Sequence, residues 1–196
     1  MKNLIHLILF FFFATGLQAQ EIIPFINGSF EGEPSGHAAT IPQAWLPCRM
    51  GTTPDILPGA WGVYTIPSHG HTYLGLITRD DGSYESIGQH LSQTLKAGNC
   101  YSFTMDLAHS GTYSGYNLPI RVRVWGGRRA CAKDQLLWES QLIHNARWET
   151  HKIEFLCKKD IRYIIIEAYF APGVFIKYRG NVLIDHLTGI KQCNRA

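Results

Sequence analysis

Along most of the chain, apolar and polar residues alternate with period two over runs of six to ten residues. In "CYSFTMDLA", one parity collects Tyr101, Phe103, Met105 and Leu107, and the other Ser102, Thr104 and Asp106. Successive side chains of a strand point to opposite faces, so such a run predicts a strand with its apolar set in a core and Asp106 turned outward. "IRVRVWG" splits in the same way, with Ile120, Val122 and Val124 inward and Arg121, Arg123 and Trp125 outward. "YIIIEAYF" sets Ile164, Ile166, Ala168 and Phe170 against Tyr163, Ile165, Glu167 and Tyr169. Further strands are predicted at "IIPFIN", "TYLGLITR", "SIGQHLSQTL", "LLWESQLI", "WETHKIEFL" and "NVLIDHLTGI". Helical periodicity is scarce. Turns rich in Gly, Pro, Asp and Asn, such as "RDDGSYE" and "KAGN", separate the runs. Nine regularly spaced strands predict an all-β, two-sheet antiparallel β-sandwich of jelly-roll type.

The stretch from Glu31 to Ser68 breaks the pattern. It holds six of the nine prolines and shows no alternation. A loop this long in a compact domain is functional or locally packed, and Trp45, Trp61 and Cys48 are its candidate anchors. Phe25 and Phe30, on either side of the Asn-Gly turn in "FINGSF", are predicted core residues.

The first nineteen residues add a single Lys, an apolar run from Leu7 to Ala14 and small residues at Ala14, Gly16 and Ala19. That is a secretion-signal pattern with cleavage after Ala19. The run is shorter than the ~20 apolar residues of a membrane span. The expectation is an exported protein with one β domain over 20–196, no lipid-anchored N-terminus and no membrane span. The formal charge of +3, which falls by one when Lys2 leaves with the leader, is too small for nucleic-acid binding, and no basic stripe appears in the sequence.

Five cysteines in an exported chain point to disulfides, with at least one left over. None are close enough for a CxxC motif. If the last strand pairs antiparallel with "CYSFTMDLA", Cys193 comes near Cys100. Cys131 with Cys157 is the remaining pairing considered, which would leave Cys48 spare.

If the three strands parsed above share a sheet, one face collects Asp106, Arg121, Arg123, Trp125, Glu167 and Tyr169. Aromatic rings offer stacking to the C–H face of a sugar, while Arg, Asp and Glu offer directional hydrogen bonds to hydroxyls. The alternative is a solvated face of cross-strand ion pairs. Trp61, Tyr64, Tyr113 and Tyr116 lie in Gly-rich loops and form a second candidate platform, unless they pin the long loop to the sheet.

The order of "FINGSFEG", "PQAW", "PSHGHTYLGLITR", "SIGQHLSQTLKAGNCYSFTMDLAHS" and "NVLIDHLTGI" resembles the galactose-binding-like β-jelly-roll modules, in particular the carbohydrate-binding modules of xylanases. "TPDILPGAWGV", "YLGLITRDDGSYESIGQ" and "LLWES" also resemble single-domain secreted or surface proteins of gliding Gram-negative bacteria. The first resemblance implies glycan binding on a sheet face. It also implies a structural Ca2+ held by Glu31 and Asp185, with carbonyls from Ser68–Thr72. His69 and His71 form an HxH pair with no third ligand in view. The "NGS" sequon at Asn27 is expected to be idle in a bacterial protein.

Some jelly-roll glycanases use two carboxylates, and Asp106 and Glu167 are the candidates here. An Arg beside each would lower its pKa and prepare it poorly as a general acid. His109 and Ser110 are adjacent and so point apart. The sequence therefore predicts an exported module that binds polysaccharide without catalysis. The alternative is a cell-surface structural or adhesion module with a protein partner, followed by a small glycanase or lyase.

Overall fold

The computed structural model describes residues 21–35 and 40–193, so the predicted leader lies outside the described residues. Thirteen strands run in the order β1 (Ile22–Ile23), β2 (Leu46–Pro47), β3 (Asp55–Leu57), β4 (Tyr73–Thr78), β5 (Ser86–Leu95), β6 (Cys100–Ala108), β7 (Leu118–Pro119), β8 (Arg121–Gly127), β9 (Gln135–Glu139), β10 (Glu149–Leu156), β11 (Ile161–Tyr169), β12 (Gly180–Asp185) and β13 (Ile190–Gln192). There is no helix among the described residues, and none long and apolar enough to cross a membrane. An eight-stranded sheet is ordered β1-β13-β6-β12-β4-β3, with β10 on the other edge of β6 and β7 beside β12. A five-stranded sheet is ordered β2-β5-β11-β8-β9. All pairings are antiparallel except the short β7–β12 contact.

The alternating parity builds the core. Phe103, Met105 and Leu107 of β6 meet Val122 and Val124 of β8 and Ile164, Ile166 and Ala168 of β11 in one buried cluster between the sheets. A smaller cluster of Leu57, Val63, Tyr73, Ile77, Ala108, Tyr113 and Leu183 fills a second site. Parity does not predict burial at the outward-assigned Asp106, Arg121, Ile165 and Glu167, all of which are buried, and Ile165 fully so. A Cβ on its register partner Gly88 would meet Cys48 Sγ at 2.7 Å and Ile165 Cγ1 at 3.4 Å, so Cys48 lies over this spot and covers it.

The opening turn is held by its own side chain. Asn27 adopts φ 53°, accepts the Glu31 amide through Oδ1 at 2.7 Å and donates Nδ2 to the Glu31 carbonyl at 3.0 Å. Asx side chains close turns in this way, and the carboxamide of the sequon is thereby engaged inside the fold. Phe25 and Phe30 are buried as expected and pack on either side of Trp45, at 6.1 and 5.1 Å. The predicted first strand is shorter than "IIPFIN", because the Asn27 turn ends it and only Ile22 and Ile23 pair, with β13. The predicted last strand is two strands, β12 and β13, broken at His186, whose φ is 51°. The long loop contains β2 and β3, which are too short to display a period.

Cys100 pairs with Cys193, as strand order predicts. The other pairing is a correction: Cys48 bonds Cys131, and Cys157 is the free, buried thiol. Burial, and secondarily the charge of Asp160, pushes the Cys157 thiol up to about 12. At neutral pH it is therefore almost wholly protonated and a poor nucleophile. A thiol-reactive chromophore at pH 8 should detect no thiol in the native protein and one per chain after unfolding without reductant. Three thiols after unfolding would contradict the second bridge.

Candidate functional site

The six residues predicted for one face do not all share a sheet. Asp106 lies on β6 in the eight-stranded sheet, whereas Arg121, Arg123 and Trp125 lie on β8 and Glu167 and Tyr169 on β11 in the five-stranded sheet. Parity assigns a side chain to a face but not a strand to a sheet, and this is why the grouping fails for Asp106.

The other five come together. Across the sheet, Glu167 of β11 stands opposite Arg123 of β8, which stands opposite Glu139 of β9. Tyr169 faces Arg121 in the next register position. An alternating charge row results: Arg121 and Arg123 both bond Glu139, Arg123 Nη1 lies 4.0 Å from Glu167, and Lys133 pairs with the other Glu167 oxygen. Glu167 is 1% exposed, and Lys133 and Arg123 are the two basic groups beside it; burying a carboxylate without such partners would be costly. The Arg123 guanidinium lies 3.4 Å from the Tyr169 ring centroid, and Tyr169 in turn meets Tyr84 edge-on at 5.3 Å. Arg49 stacks 4.0 Å over Tyr84. Lys133 lies 6.0 Å from the ring of Trp125, whose Nε1 is buried without a hydrogen-bond partner.

Four members of this cluster escape sequence reasoning: Arg49, Tyr84, Lys133 and Glu139. Three are in loops, where alternation says nothing, and the Cys48–Cys131 bridge is what brings Arg49 and Lys133 together. The loop between β8 and β9 is folded onto the sheet by that bridge, by the Asp134 amide donating to Gly126 and by Lys133 reaching Glu167. Burial first, and then the charges of Arg49 and Arg123, push the Lys133 ammonium down to about 8, while the Glu167 carboxylate favours its charged form.

Asp106 belongs to a second polar centre around residues 68–72. It sits opposite Asp185 of β12 and Thr150 of β10. It accepts from the Ser68 and Thr150 hydroxyls and lies 3.4 Å from His186 Nδ1. An Arg beside Asp106 is therefore not found, and His186 stands there instead. Asp185 is fully buried and accepts the His69 amide at 2.9 Å and the His186 amide at 2.6 Å. Glu31 receives the His71 amide through both oxygens, at 3.0 and 3.2 Å. Glu31 and Asp185 thus hold the same short loop from two sides. Burial, with a smaller push from Asp106, raises the Asp185 carboxyl to about 6. His69 stacks on His186 at 4.6 Å and bonds Ser29 Oγ.

Of the loop aromatics, Tyr113 is buried, and Trp61 donates its indole N–H to Asp55 at 3.0 Å while its carbonyl accepts the Ser114 amide. Tyr64 is exposed. His109 bonds the Asn117 carbonyl and Ser110 bonds Thr112, so their hydrogen bonds run to separate partners.

The two antiparallel sheets form the β-sandwich that the alternation in the sequence predicts. The chain is similar to the CBM22-1 xylan-binding domain of Paenibacillus barcinonensis Xyn10C, with a TM-score of 0.54 and 14% identity over 91% of this chain and 98% of that one. It is also similar to the K3 cleaved adhesin domain of Lys-gingipain from Porphyromonas gingivalis, with a TM-score of 0.51 and 12% identity over 87% and 96% of the two chains. A GH51 α-L-arabinofuranosidase solved with arabinose matches at TM-score 0.56 and 10% identity, over 90% of this chain and 27% of that one. At these identities the likeness is one of fold. No family model and no curated protein match the chain.

Proposed function

We propose that this protein binds a polysaccharide, without catalysis, on the outer face of its five-stranded sheet around Trp125, Arg123, Glu167 and Tyr169. The observation that carries the reading is the convergence of aromatic rings with the partly exposed Arg123, held in place by the buried Glu167, on one rigid sheet. Rings present apolar surface to a pyranose, and a fixed guanidinium gives the hydroxyls directional donors. The fold shared with a xylan-binding domain supports the same reading. A non-catalytic role is supported by the separation of Asp106 and Glu167 into different sheets, which leaves no facing carboxylate pair between them. The two disulfides suit export into an oxidising compartment. In affinity electrophoresis through gels containing plant, algal and bacterial polysaccharides, at least one gel should retard the protein, and Trp125→Ala should abolish the retardation. Free migration in every gel would sink the reading.

The second polar centre bears on stability rather than on ligand. We propose that Glu31 and Asp185 hold a structural Ca2+. The donors there are hard oxygens, which suit this ion, and neither carboxylate has a Lys or Arg partner among the described residues. When bound, the ion would neutralise adjacent carboxylates and fix the 68–72 loop. Excess EDTA should lower the melting temperature by several degrees and added Ca2+ should restore it, while Glu31→Gln should melt low and ignore both. Indifference of the wild-type protein to EDTA would remove the ion from the account.

A further inference from the structure

The charges on the outer face of the five-stranded sheet do not balance. Arg121, Arg123, Lys133 and Arg49 stand against only Glu139 and Glu167. The covering loop adds Arg128 and Arg129 and one acid, Asp134, which is already paired with Arg128. Six cations against three carboxylates leave an excess of three positive charges. The formal charge of the full sequence is also +3, so all other residues, Lys2 of the leader included, together sum to zero. The surplus is therefore concentrated on the very face that carries the rings.

The arrangement within the face sharpens this. Arg121 and Arg123 are already used by Glu139, and Lys133 by Glu167. Arg49 is exposed and has no carboxylate partner among the described residues; it is fixed only by stacking on Tyr84. Arg129, on the covering loop, is likewise exposed and has no acidic partner there. A guanidinium pre-positioned on an aromatic plane keeps its fork of N–H donors free for a planar or tetrahedral oxyanion, and loses little freedom in binding one. Trp125 is half-buried on the same face, with Lys133 Nζ 6.0 Å from its ring. Burial first, and then the charges of Arg49 and Arg123, depress the Lys133 ammonium.

Resting on the glycan-binding reading, we infer that the ligand is an acidic polysaccharide, one that carries uronate carboxylates or sulfate esters and docks them at Arg49 and Arg129 while its rings stack near Trp125 and Tyr169. Neutral glycans would leave the surplus charge unmatched. An anionic chain would neutralise it and release counter-ions, so binding would weaken with salt.

The test uses the purified protein, with polygalacturonate and alginate as carboxylate probes, dextran sulfate as the sulfate probe, and xylan and unmodified dextran as neutral controls. Binding to at least one polyanion in 50 mM NaCl should be at least 10-fold tighter than to either neutral glycan. It should fall at least 5-fold for the double variant Arg49→Ala/Arg129→Ala and for Trp125→Ala, and remain within 2-fold for Lys152→Ala, a cation on β10 in the other sheet. The winning polyanion decides between carboxylate and sulfate. Binding to xylan or dextran alone, unaffected by the Arg double variant, overturns the acidic ligand and leaves glycan binding intact. Polyanion binding that survives Trp125→Ala is ion exchange without a site and also overturns the inference. Failure to bind any probe overturns it together with the reading on which it rests.

Discussion

Replacing Glu167 by alanine is expected to lower the unfolding free energy by about 3–5 kcal/mol, the cost of leaving a buried ion pair with one partner. Glu167 is the central acid of the face. It is 1% exposed, paired with Lys133, and 4.0 Å from Arg123. Without it, two cations are left pointing at one another, with Arg49 close enough to influence Lys133 as well. Glu167→Gln keeps the volume and an acceptor oxygen and should cost distinctly less. Urea unfolding followed by tryptophan fluorescence measures both variants. A loss below about 1 kcal/mol for the alanine variant would mean that solvent, not Glu167, balances these cations.

Removing the Cys48–Cys131 bridge by a double serine substitution should have an effect of similar size. The bridge spans a sequence separation of 83, for which loop-closure entropy gives about 4 to 5 kcal/mol. The structural effect is also local. Cys48 packs over Gly88 and Ile165, and Cys131 holds the loop that delivers Lys133 to Glu167. The double variant should therefore unfold at lower urea, exchange the amides of residues 128–134 faster, and lose glycan retention even where it is still folded. A variant that keeps its stability and its protection in that loop would show that the loop packs without the covalent tie.

The residues that were easy to read share one property: their environment differs sharply between neighbours in sequence. From Cys100 to Met105 in β6 and from Val122 to Trp125 in β8 burial alternates with the parity of Phe103 and Val124, whereas β11 is buried on both faces from Ile164 to Ala168. The pairing of Cys100 with Cys193 follows from the ends of two strands and was equally legible. Parity carries no information about which strands are neighbours, so nothing separated Asp106 from Arg123 until the sheets were known. Arg49 and Lys133 were hidden for another reason. Both ride on loops whose positions depend on the bridge joining Cys48 to Cys131, and loops leave no periodic trace. Strands of two or three residues, β1, β2, β3, β7 and β13, are too short to form a pattern and are defined by their partners alone.

The Cys100–Cys193 bridge has a mechanical consequence. Strand β13 is three residues long and would unzip readily from the sheet under load. Cys193, just beyond it, is bonded covalently to the first residue of β6. Tension applied to the chain after Cys193 therefore bypasses β13 and enters β6, which is clamped by β10 along one edge and by β12 and β13 along the other. Pulling from that end must shear a central strand instead of peeling a peripheral one, a far stiffer geometry.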